Sequence, residues 1–358
     1  MFCRLHGVTS FRQIIVATAV ALLAAVWAGS GRAQAPLPAL GADLGATSVS
    51  GLSAGAFMAS QFHIANSSIV VGAGIVAGGP YGCAAAATPW FARPFGVGAT
   101  IYWASGRCMA GSRLGFGIPA TGRLEGQIHE MARAGSIDAL EGVARARIYL
   151  FTSTADDRVI STVVDAAQAL YVKLGVPEGR VQLARRNDAK HAFVTEEKGA
   201  RCGTQDSTYI TDCNYDQAGA ILRHLYPDVA RRSGRAPGGA TKFDQRPYTR
   251  GSLAHGMADT GYLHVPEGCL DARACRVHVV FHGCNQTGEG FVRDAGYLEW
   301  ADGNRIILLF PQVEKQPFHD PPGCWDWVGY TGPDYLTREG AQVSAVRRML
   351  ERLAEQTN

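Results

Sequence analysis

The chain has 358 residues, of which 47% are hydrophobic and 18% charged, and a formal net charge of +3. A chain of this length can bury a large core. Three unbalanced arginines lie in the first 33 residues, and the remainder carries 31 bases and 31 acids. Because that remainder is neutral, its charge gives no support for nucleic acid or an anionic membrane as a partner.

The first 33 residues are typical of a secretory signal peptide. A basic start precedes an apolar run at residues 14–27, which is too short for a stop-transfer helix, so an uncleaved anchor is the less favoured alternative. Cleavage after Ala33 is preferred to cleavage after Ala35, which would leave Pro36 directly after the cut. We therefore expect an exported protein, secreted or periplasmic, with residues 34–358 as its mature part.

A nucleophile motif follows shortly after the signal peptide. The sequence Gly-Leu-Ser-Ala-Gly at residues 51–55 lies between a strand predicted at 44–50 and a helix predicted at 56–65. A serine between two glycines at a strand-to-helix turn is the nucleophile elbow of an α/β-hydrolase. The turn presents the hydroxyl of Ser53 at a helix N-terminus, which favours developing negative charge.

The next segments alternate between strand and helix. Apolar residues at 68–77 predict a strand buried on both faces of a parallel sheet. Residues 78–123 are rich in Gly, Pro and aromatics and are expected to form a long loop region over a site. A weak helix at 124–134 then leads to further elements. These are strands at 146–151 and 180–184 and helices at 160–174 and 216–226.

The last third of the chain continues the alternation after a linker-like stretch at 231–242. Strands are predicted at 260–265, 275–281 and 305–310, and helices at 288–300 and 337–354. The strands and helices predicted after residue 242 are too few to form a sheet of their own. We therefore expect one mostly parallel sheet with helices on both faces, in a single domain that comprises residues 34–358.

Cysteine usage supports export. Cys3 leaves with the signal peptide, and an even number in the rest of an exported chain indicates four disulfides. The remaining cysteines are Cys83, Cys108, Cys202, Cys213, Cys269, Cys275, Cys284 and Cys324. Their order suggests pairing of neighbours along the chain, but eight cysteines allow about a hundred pairings, so the connectivity stays open.

A serine nucleophile needs a base and an acid that orients the base. In α/β-hydrolases these follow the serine in the order acid, then histidine, each after a strand. Asp156 follows the strand at 146–151, and His191 follows the strand at 180–184. The adjacent Asp157 is the alternative acid, although it could instead cap the next helix.

A second strand end supplies a candidate oxyanion hole. His278 and His282 are four residues apart on a strand, roughly 13 Å from each other, and cannot share a metal. We predict no metal and no cofactor. His282 and Gly283 instead end an apolar strand, where a tight turn would bring the Cys284 N–H to the oxyanion. The other donor would be the N–H of Ala54, directly after the nucleophile.

The position of this His-Gly turn is unusual, because in other hydrolases of this fold it precedes the elbow. Moving residues 276–354 in front of residue 44 restores the ordinary sequence of strands, serine, acid and histidine. Termini that lie close together at a surface make such a circular permutation tolerable. The sequence therefore predicts a circularly permuted α/β-hydrolase fold.

Together these motifs resemble the catalytic domain of short-chain-length polyhydroxyalkanoate (polyhydroxybutyrate, PHB) depolymerases of the circularly permuted type, over residues 43–355. The motifs are Gly-Leu-Ser-Ala-Gly-Ala-Phe-Met-Ala at 51–59, Asp156 with Val159, His-Ala-Phe at 191–193, Cys-Asn-Tyr-Asp at 213–216, Val-Phe-His-Gly-Cys-Asn-Gln at 280–286, Phe-Pro-Gln at 310–312 and Gly-Cys-Trp-Asp-Trp at 323–327 with Gly329 and Tyr330. The pairing of His-Gly-Cys with Gly-Cys-Trp-Asp-Trp is the most specific of these features.

The resemblance implies a serine esterase that cleaves a polyester or its 3-hydroxyalkanoate oligomers. It implies Ser53 as nucleophile, His191 as base and Asp156 as orienting acid. It also implies Trp325 as a tryptophan that contacts the polyester. An apolar groove that includes Trp327, Tyr330 and Trp103 would suit such a substrate.

Two other functions stay open at this point. A secreted feruloyl or acetyl-xylan esterase would use the same chemistry but would need a polar, sugar-binding rim. A non-catalytic polyester-binding protein would need no intact triad. Many secreted relatives carry a further substrate-binding domain, which we do not expect in this chain. We therefore expect a substrate that needs no crystalline-surface anchor, such as amorphous granules or soluble oligomers.

Overall fold

Strands and helices alternate through a computed structural model of the chain. It describes residues 34–110, 117–230, 232, 238–249, 255–270, 274–316, 320 and 322–356. The predicted signal peptide at residues 1–33 lies outside the described residues.

The strands of the described chain are numbered here in chain order. They are β1 (Asp43–Leu52), β2 (Val70–Val76), β3 (Arg147–Ser153), β4 (Val181–Arg186), β5 (Phe193–Thr195), β6 (Ala200–Arg201), β7 (Ile210–Asp212), β8 (Thr241–Asp244), β9 (Thr260–His264), β10 (Arg276–Phe281) and β11 (Ile306–Phe310).

The α-helices are numbered in the same way. They are α1 (Ala54–Ala65), α2 (Cys83–Ala87), α3 (Gly96–Ala104), α4 (Thr121–Arg133), α5 (Glu141–Arg145), α6 (Ser161–Lys173), α7 (Gln217–Leu225), α8 (Glu289–Asp294), α9 (Leu298–Asn304) and α10 (Ala341–Ala354).

The main sheet has eight strands in the order β4-β3-β2-β1-β10-β11-β9-β8. Neighbours are parallel from β4 to β11, and β9 runs antiparallel to both β11 and β8. If the end of the chain is joined to its start, the strands follow each other in the order β8, β9, β10, β11, β1, β2, β3 and β4. Their order across the sheet is the same, except that β10 and β11 exchange places. The predicted circularly permuted α/β-hydrolase fold is confirmed.

The two ends of the described chain meet, as a permutation requires. The N–H groups of Leu40 and Ala42, just before β1, donate to the carbonyl of Leu353 in α10 (3.1 and 3.0 Å). The N–H of Gly41 donates to the carbonyl of Glu355 (2.8 Å). The rejoined block is larger than the sequence indicated, because β8 and β9 also belong to it.

The core surrounds β1. Its neighbours β2 and β10 are apolar runs buried on both faces, as expected for central parallel strands. Every residue of α1 is buried, which explains why this helix shows no polar face. The closing helix α10 contacts both α1 and β1 and turns one apolar side inward.

The predicted elements differ from the observed ones at a few places. The region 78–123, expected to be loop, contains α2 and α3. The helix expected at 288–300 is divided into α8 and α9, because Gly296 between them has φ of 81°. The sequence did not predict the edge strand β8, because a strand of four residues, two of them exposed, shows no clear apolar pattern.

Four disulfides join Cys83 to Cys108, Cys202 to Cys213, Cys269 to Cys275, and Cys284 to Cys324. This is the pairing that sequence order suggests. The second bridge is attached to a small parallel sheet of β5, β7 and β6, which follows the loop of His191. No helix in the described chain is long and apolar enough to span a bilayer.

Removing the first disulfide with Cys83→Ala and Cys108→Ala should lower the free energy of unfolding by roughly 3 kcal/mol, because a closed loop restricts the unfolded chain. The two cysteines are 25 residues apart. Cys269 and Cys275 are 6 apart, so their double substitution should cost about 1 kcal/mol less. Denaturant titration measures both losses. A larger loss from the shorter loop would contradict the loop-entropy reason.

Candidate active site

Ser53 lies in the tight turn between β1 and α1. Its backbone has φ of 57° and ψ of −120°, a conformation that costs a residue with a side chain about 1–3 kcal/mol. The Ser53 N–H donates to the Val76 carbonyl (2.9 Å), and the Ser53 carbonyl accepts from Ala56 and Phe57 (2.9 and 3.0 Å). These bonds hold the residue at the carboxyl edge of the sheet and the start of α1.

The glycines on either side of Ser53 are required by close packing. A Cβ on Gly51 would overlap the carbonyl of Gly55, and a Cβ on Gly55 would overlap the carbonyl oxygens of Phe281 and His282. The elbow therefore rests directly on the end of β10. This contact positions the nucleophile turn against the His-Gly turn that follows β10.

His191 and Asp156 form a buried pair. Nδ1 of His191 lies 2.8 Å from Oδ2 of Asp156, and the two side chains are 5% and 3% exposed. The other carboxylate oxygen of Asp156 accepts from the N–H groups of Arg158 and Val159 (2.9 and 3.0 Å). Of the two adjacent acids that the sequence left open, Asp156 contacts the histidine, and Asp157 is exposed.

The turn after β10 is held from both sides. Nδ1 of His282 donates to the Gly283 carbonyl (2.8 Å), and the Gly283 N–H donates to Oε1 of Gln286 (2.8 Å). Gln286 in turn donates from Nε2 to the Thr208 carbonyl (2.7 Å). Gln286 lies in the motif at 280–286, which by itself predicted no role for it; its amide fixes the turn that carries Cys284.

Neither histidine of β10 and its turn is placed as a metal ligand. Nδ1 and Nε2 of His278 hydrogen-bond the hydroxyls of Ser48 and Ser50 (2.6 and 2.8 Å). Burial lowers the pKa of His278 to about 3 and that of His282 to about 4, so both rings are neutral. A cluster of metal-ligand type in the described chain, Asp188 with Cys202 and Cys213, has its sulfurs in a disulfide.

A cavity of about 440 Å³ opens beside the serine. Its wall is mostly apolar and includes both predicted oxyanion residues. The lining residues are Ser53, Ala54, Phe57, Ile101, Met109, Cys284, Asp320, Pro322, Cys324, Trp327, Val328 and Tyr330. Within the described part of the chain, the N–H groups of Ala54 and Cys284 have no acceptor. They are therefore available to an oxyanion.

The predicted substrate contact of Trp325 requires correction. Trp325 is fully buried, and its ring packs against Phe281 and His282, with centroids 4.9 and 5.8 Å away. Trp327 and Tyr330 line the cavity instead.

The physical reason lies in Asp326, whose carboxylate accepts hydrogen bonds from several backbone groups. Its Oδ1 accepts from Val328, Gly329 and Tyr330 (3.1, 2.6 and 3.0 Å), and its Oδ2 accepts from Thr331 (2.8 Å). The backbone of residues 326–331 therefore forms a turn around the Asp326 carboxylate. Residues after it face the cavity, while Trp325 before it stays in the core.

Comparisons with known proteins agree with these observations. A poly(3-hydroxybutyrate) depolymerase of Delftia acidovorans is 38% identical over 357 residues, which cover 97% of this chain and 67% of the relative. A polyhydroxybutyrate depolymerase of Talaromyces funiculosus is 33% identical over 359 residues, which cover 94% of this chain and 96% of the relative. No family model matches the chain.

Two solved structures are also similar. One is the PHB depolymerase from Penicillium funiculosum, and the other is a serine-to-alanine PHB depolymerase in complex with an R3HB trimer. Each has a TM-score of 0.76 and 31% sequence identity, and each match covers 90% of this chain and 100% of the solved chain.

Replacing the acid of the buried pair tests its role. Asp156→Asn should lower kcat for a short p-nitrophenyl ester by roughly 10³–10⁴, because the amide no longer holds His191 in the tautomer that accepts a proton. Asp157→Asn is the matched control and should stay close to wild type, since Asp157 is exposed. Equal losses in the two variants would refute the assignment.

Proposed function

The chain belongs to the poly(3-hydroxybutyrate) depolymerases, a family of carboxylic ester hydrolases, and on that premise we propose that it cleaves poly(3-hydroxybutyrate) or its oligomers through an acyl-enzyme on Ser53. The observation that supports this most directly is the apolar cavity lined by Ser53, Ala54 and Cys284. The buried His191–Asp156 pair lies after neighbouring strands at the same edge of the sheet.

The proposed reaction has two steps. The Ser53 hydroxyl attacks the ester carbonyl while Nε2 of His191 takes its proton, because Nδ1 is engaged by Asp156. His191 then gives that proton to the leaving hydroxyl of the alcohol fragment. Water repeats the sequence on the 3-hydroxyacyl-enzyme and releases the acid.

The oxyanion would be held by the N–H groups of Ala54 and Cys284. The start of α1 adds its favourable dipole. Loss of one such donor costs on the order of 10²–10³ in rate. Both donors are backbone groups, so their position depends on the elbow packing and on the turn held by Gln286.

The cavity composition favours an uncharged aliphatic ester over a sugar ester. Aromatic and aliphatic side chains dominate the wall, and sugar recognition would require several polar groups. Phe57 and Trp327 stack at 4.9 Å between ring centroids and form one continuous apolar surface beside the serine.

An outer aromatic cluster extends from the cavity and supports polymer as a substrate. We give this name to Trp90, Phe91, Phe95, Ile101 and Tyr102, which are 81, 55, 79, 41 and 58% exposed. Ile101 also lines the cavity. Exposed apolar groups gathered in one place indicate an interaction surface. We propose that this cluster contacts the polyester surface around the scissile bond.

We also propose that the protein is exported from the cell. The signal peptide predicted at residues 1–33 would deliver the mature chain to the periplasm or the medium, where its four disulfides are stable. We propose residues 34–358 as one catalytic domain.

Ser53→Ala should abolish hydrolysis of amorphous poly(3-hydroxybutyrate) and of its trimer, with kcat falling on the order of 10⁵–10⁶. Clearing of a polymer suspension and release of 3-hydroxybutyrate measure the effect. Labelling of Ser53 by a fluorophosphonate in the wild type is the control for an active serine. A labelled enzyme that clears no polymer but releases acetate or ferulate from xylan would contradict the proposed substrate.

The outer aromatic cluster can be tested separately. Trp90→Ala with Phe95→Ala should reduce adsorption to polymer granules several-fold and leave kcat/KM for the soluble trimer close to wild type, because neither residue lines the cavity. Leu270→Ala is the matched control, since Leu270 is 64% exposed but is not part of the cluster. Equal adsorption by all three proteins would rule out this surface.

A further inference from the structure

Asp320 is the one residue with a formal charge among the described residues that line the catalytic cavity. It is 5% exposed and shares the cavity wall with Ser53 and Cys284. A buried carboxylate in an apolar wall is costly unless it is partnered. The triad does not use it, so its presence requires another explanation.

The hydrogen bonds around Asp320 leave it able to accept another. The Cys324 N–H donates to Oδ2 (2.5 Å). The hydroxyl of Tyr330 faces both the carboxyl and the Cys324 carbonyl (2.7 Å from the latter) and can donate its proton to either. A carboxylate offers about four acceptor positions. Asp320 therefore retains acceptor capacity that a molecule in the cavity could use.

The groups that face Asp320 also set its protonation. Burial is the main cause that raises its pKa to about 6, and the negative charge of Asp326 acts in the same direction. The Cys324 N–H and the Tyr330 hydroxyl act in the opposite direction. Asp320 is therefore an anionic acceptor above this pKa and a neutral donor below it.

A poly(3-hydroxybutyrate) chain presents three kinds of polar group. Its interior units carry ester oxygens, which only accept hydrogen bonds. One end carries a carboxylate, which also only accepts and is negatively charged. The other end carries a hydroxyl, the chain's single donor. An anionic acceptor in the cavity is complementary to this hydroxyl end and repels the carboxylate end.

We propose that Asp320 is a specificity-determining residue that selects the hydroxyl terminus of a 3-hydroxyacyl chain by accepting a hydrogen bond from its terminal hydroxyl. The inference rests on the proposed function and names the end of the chain that the cavity receives. Cleavage then removes short units from the hydroxyl end, and the carboxylate end is disfavoured in the cavity.

The selectivity depends on pH with a defined sign. Above the pKa of Asp320 the carboxylate accepts from the terminal hydroxyl. Below it the protonated acid can donate to any ester carbonyl, so interior units and blocked ends bind as well as the free hydroxyl end. Preference for the hydroxyl end should therefore fall as the pH is lowered through about 6.

Two trimers of 3-hydroxybutyrate separate this effect from catalysis. Both are methyl esters, which removes the carboxylate, and one has its terminal hydroxyl acetylated. The quantity measured is the ratio of kcat/KM for the free-hydroxyl trimer to that for the acetylated trimer, at about pH 5 and about pH 8. The two substrates share the same catalytic step, so any effect of pH on that step cancels in the ratio.

The wild type should prefer the free-hydroxyl trimer by roughly ten- to a hundredfold at the higher pH, the effect of one hydrogen bond to a charged group. The ratio should approach one at the lower pH. Asp320→Asn should give a ratio near one at both pH values. Its amide oxygen can still accept from Cys324, so the cavity wall is preserved. Asp334→Asn, an exposed acid on the same segment, is the matched control and should keep the wild-type ratio.

A wild-type ratio near one at the higher pH would overturn the inference, as would a preference that persists in Asp320→Asn. In either case both trimers are still hydrolysed, so the proposed function would stand. If neither trimer is hydrolysed by an enzyme whose Ser53 reacts with a fluorophosphonate, the proposed function and the inference both fail.

Discussion

The site depends on the close contact between the nucleophile elbow and the end of β10. Gly51 and Gly55 have no Cβ because backbone carbonyls occupy that space, including those of Phe281 and His282. The strand that receives this contact leads directly into the turn of Cys284. One packing constraint therefore sets the distance between the proposed nucleophile, Ser53, and the proposed oxyanion donor, Cys284, which follows it by some 230 residues in the chain.

A second set of interactions builds the cavity wall from the segment after residue 320. The Cys284–Cys324 disulfide ties this segment to the oxyanion turn, and the carboxylate of Asp326 shapes the turn that follows. Trp327 and Tyr330 thereby face the substrate space. The same segment brings Asp320 into an otherwise apolar wall, where we propose that its charge selects which end of a polyester binds.

Circular permutation leaves the chemistry unchanged because the sheet depends on which strands are neighbours and not on where the chain begins. Hydrogen bonds from Leu40 and Ala42 to Leu353 close the gap between the two ends. Joining the two ends would place β8, β9, β10 and β11 before β1. The break between the two ends therefore lies just before β1, the strand that leads into the elbow. Ser53 consequently lies near the start of the described chain, and the lining of its cavity from Cys284 to Tyr330 comes from the other end.

The sequence by itself determined the central strands and the fold class, and it predicted the roles of Ser53, His191 and the Cys284 turn. Short apolar runs rich in β-branched residues indicate central parallel strands, and a serine between glycines at a strand-to-helix turn indicates a nucleophile elbow. For the orienting acid, the sequence left two adjacent candidates, Asp156 and Asp157. Only the tertiary structure decided between them, placed Trp325 in the core, and brought Asp320 to the cavity. Each of these depends on side-chain direction and on contacts between distant segments, which no local pattern of residues records.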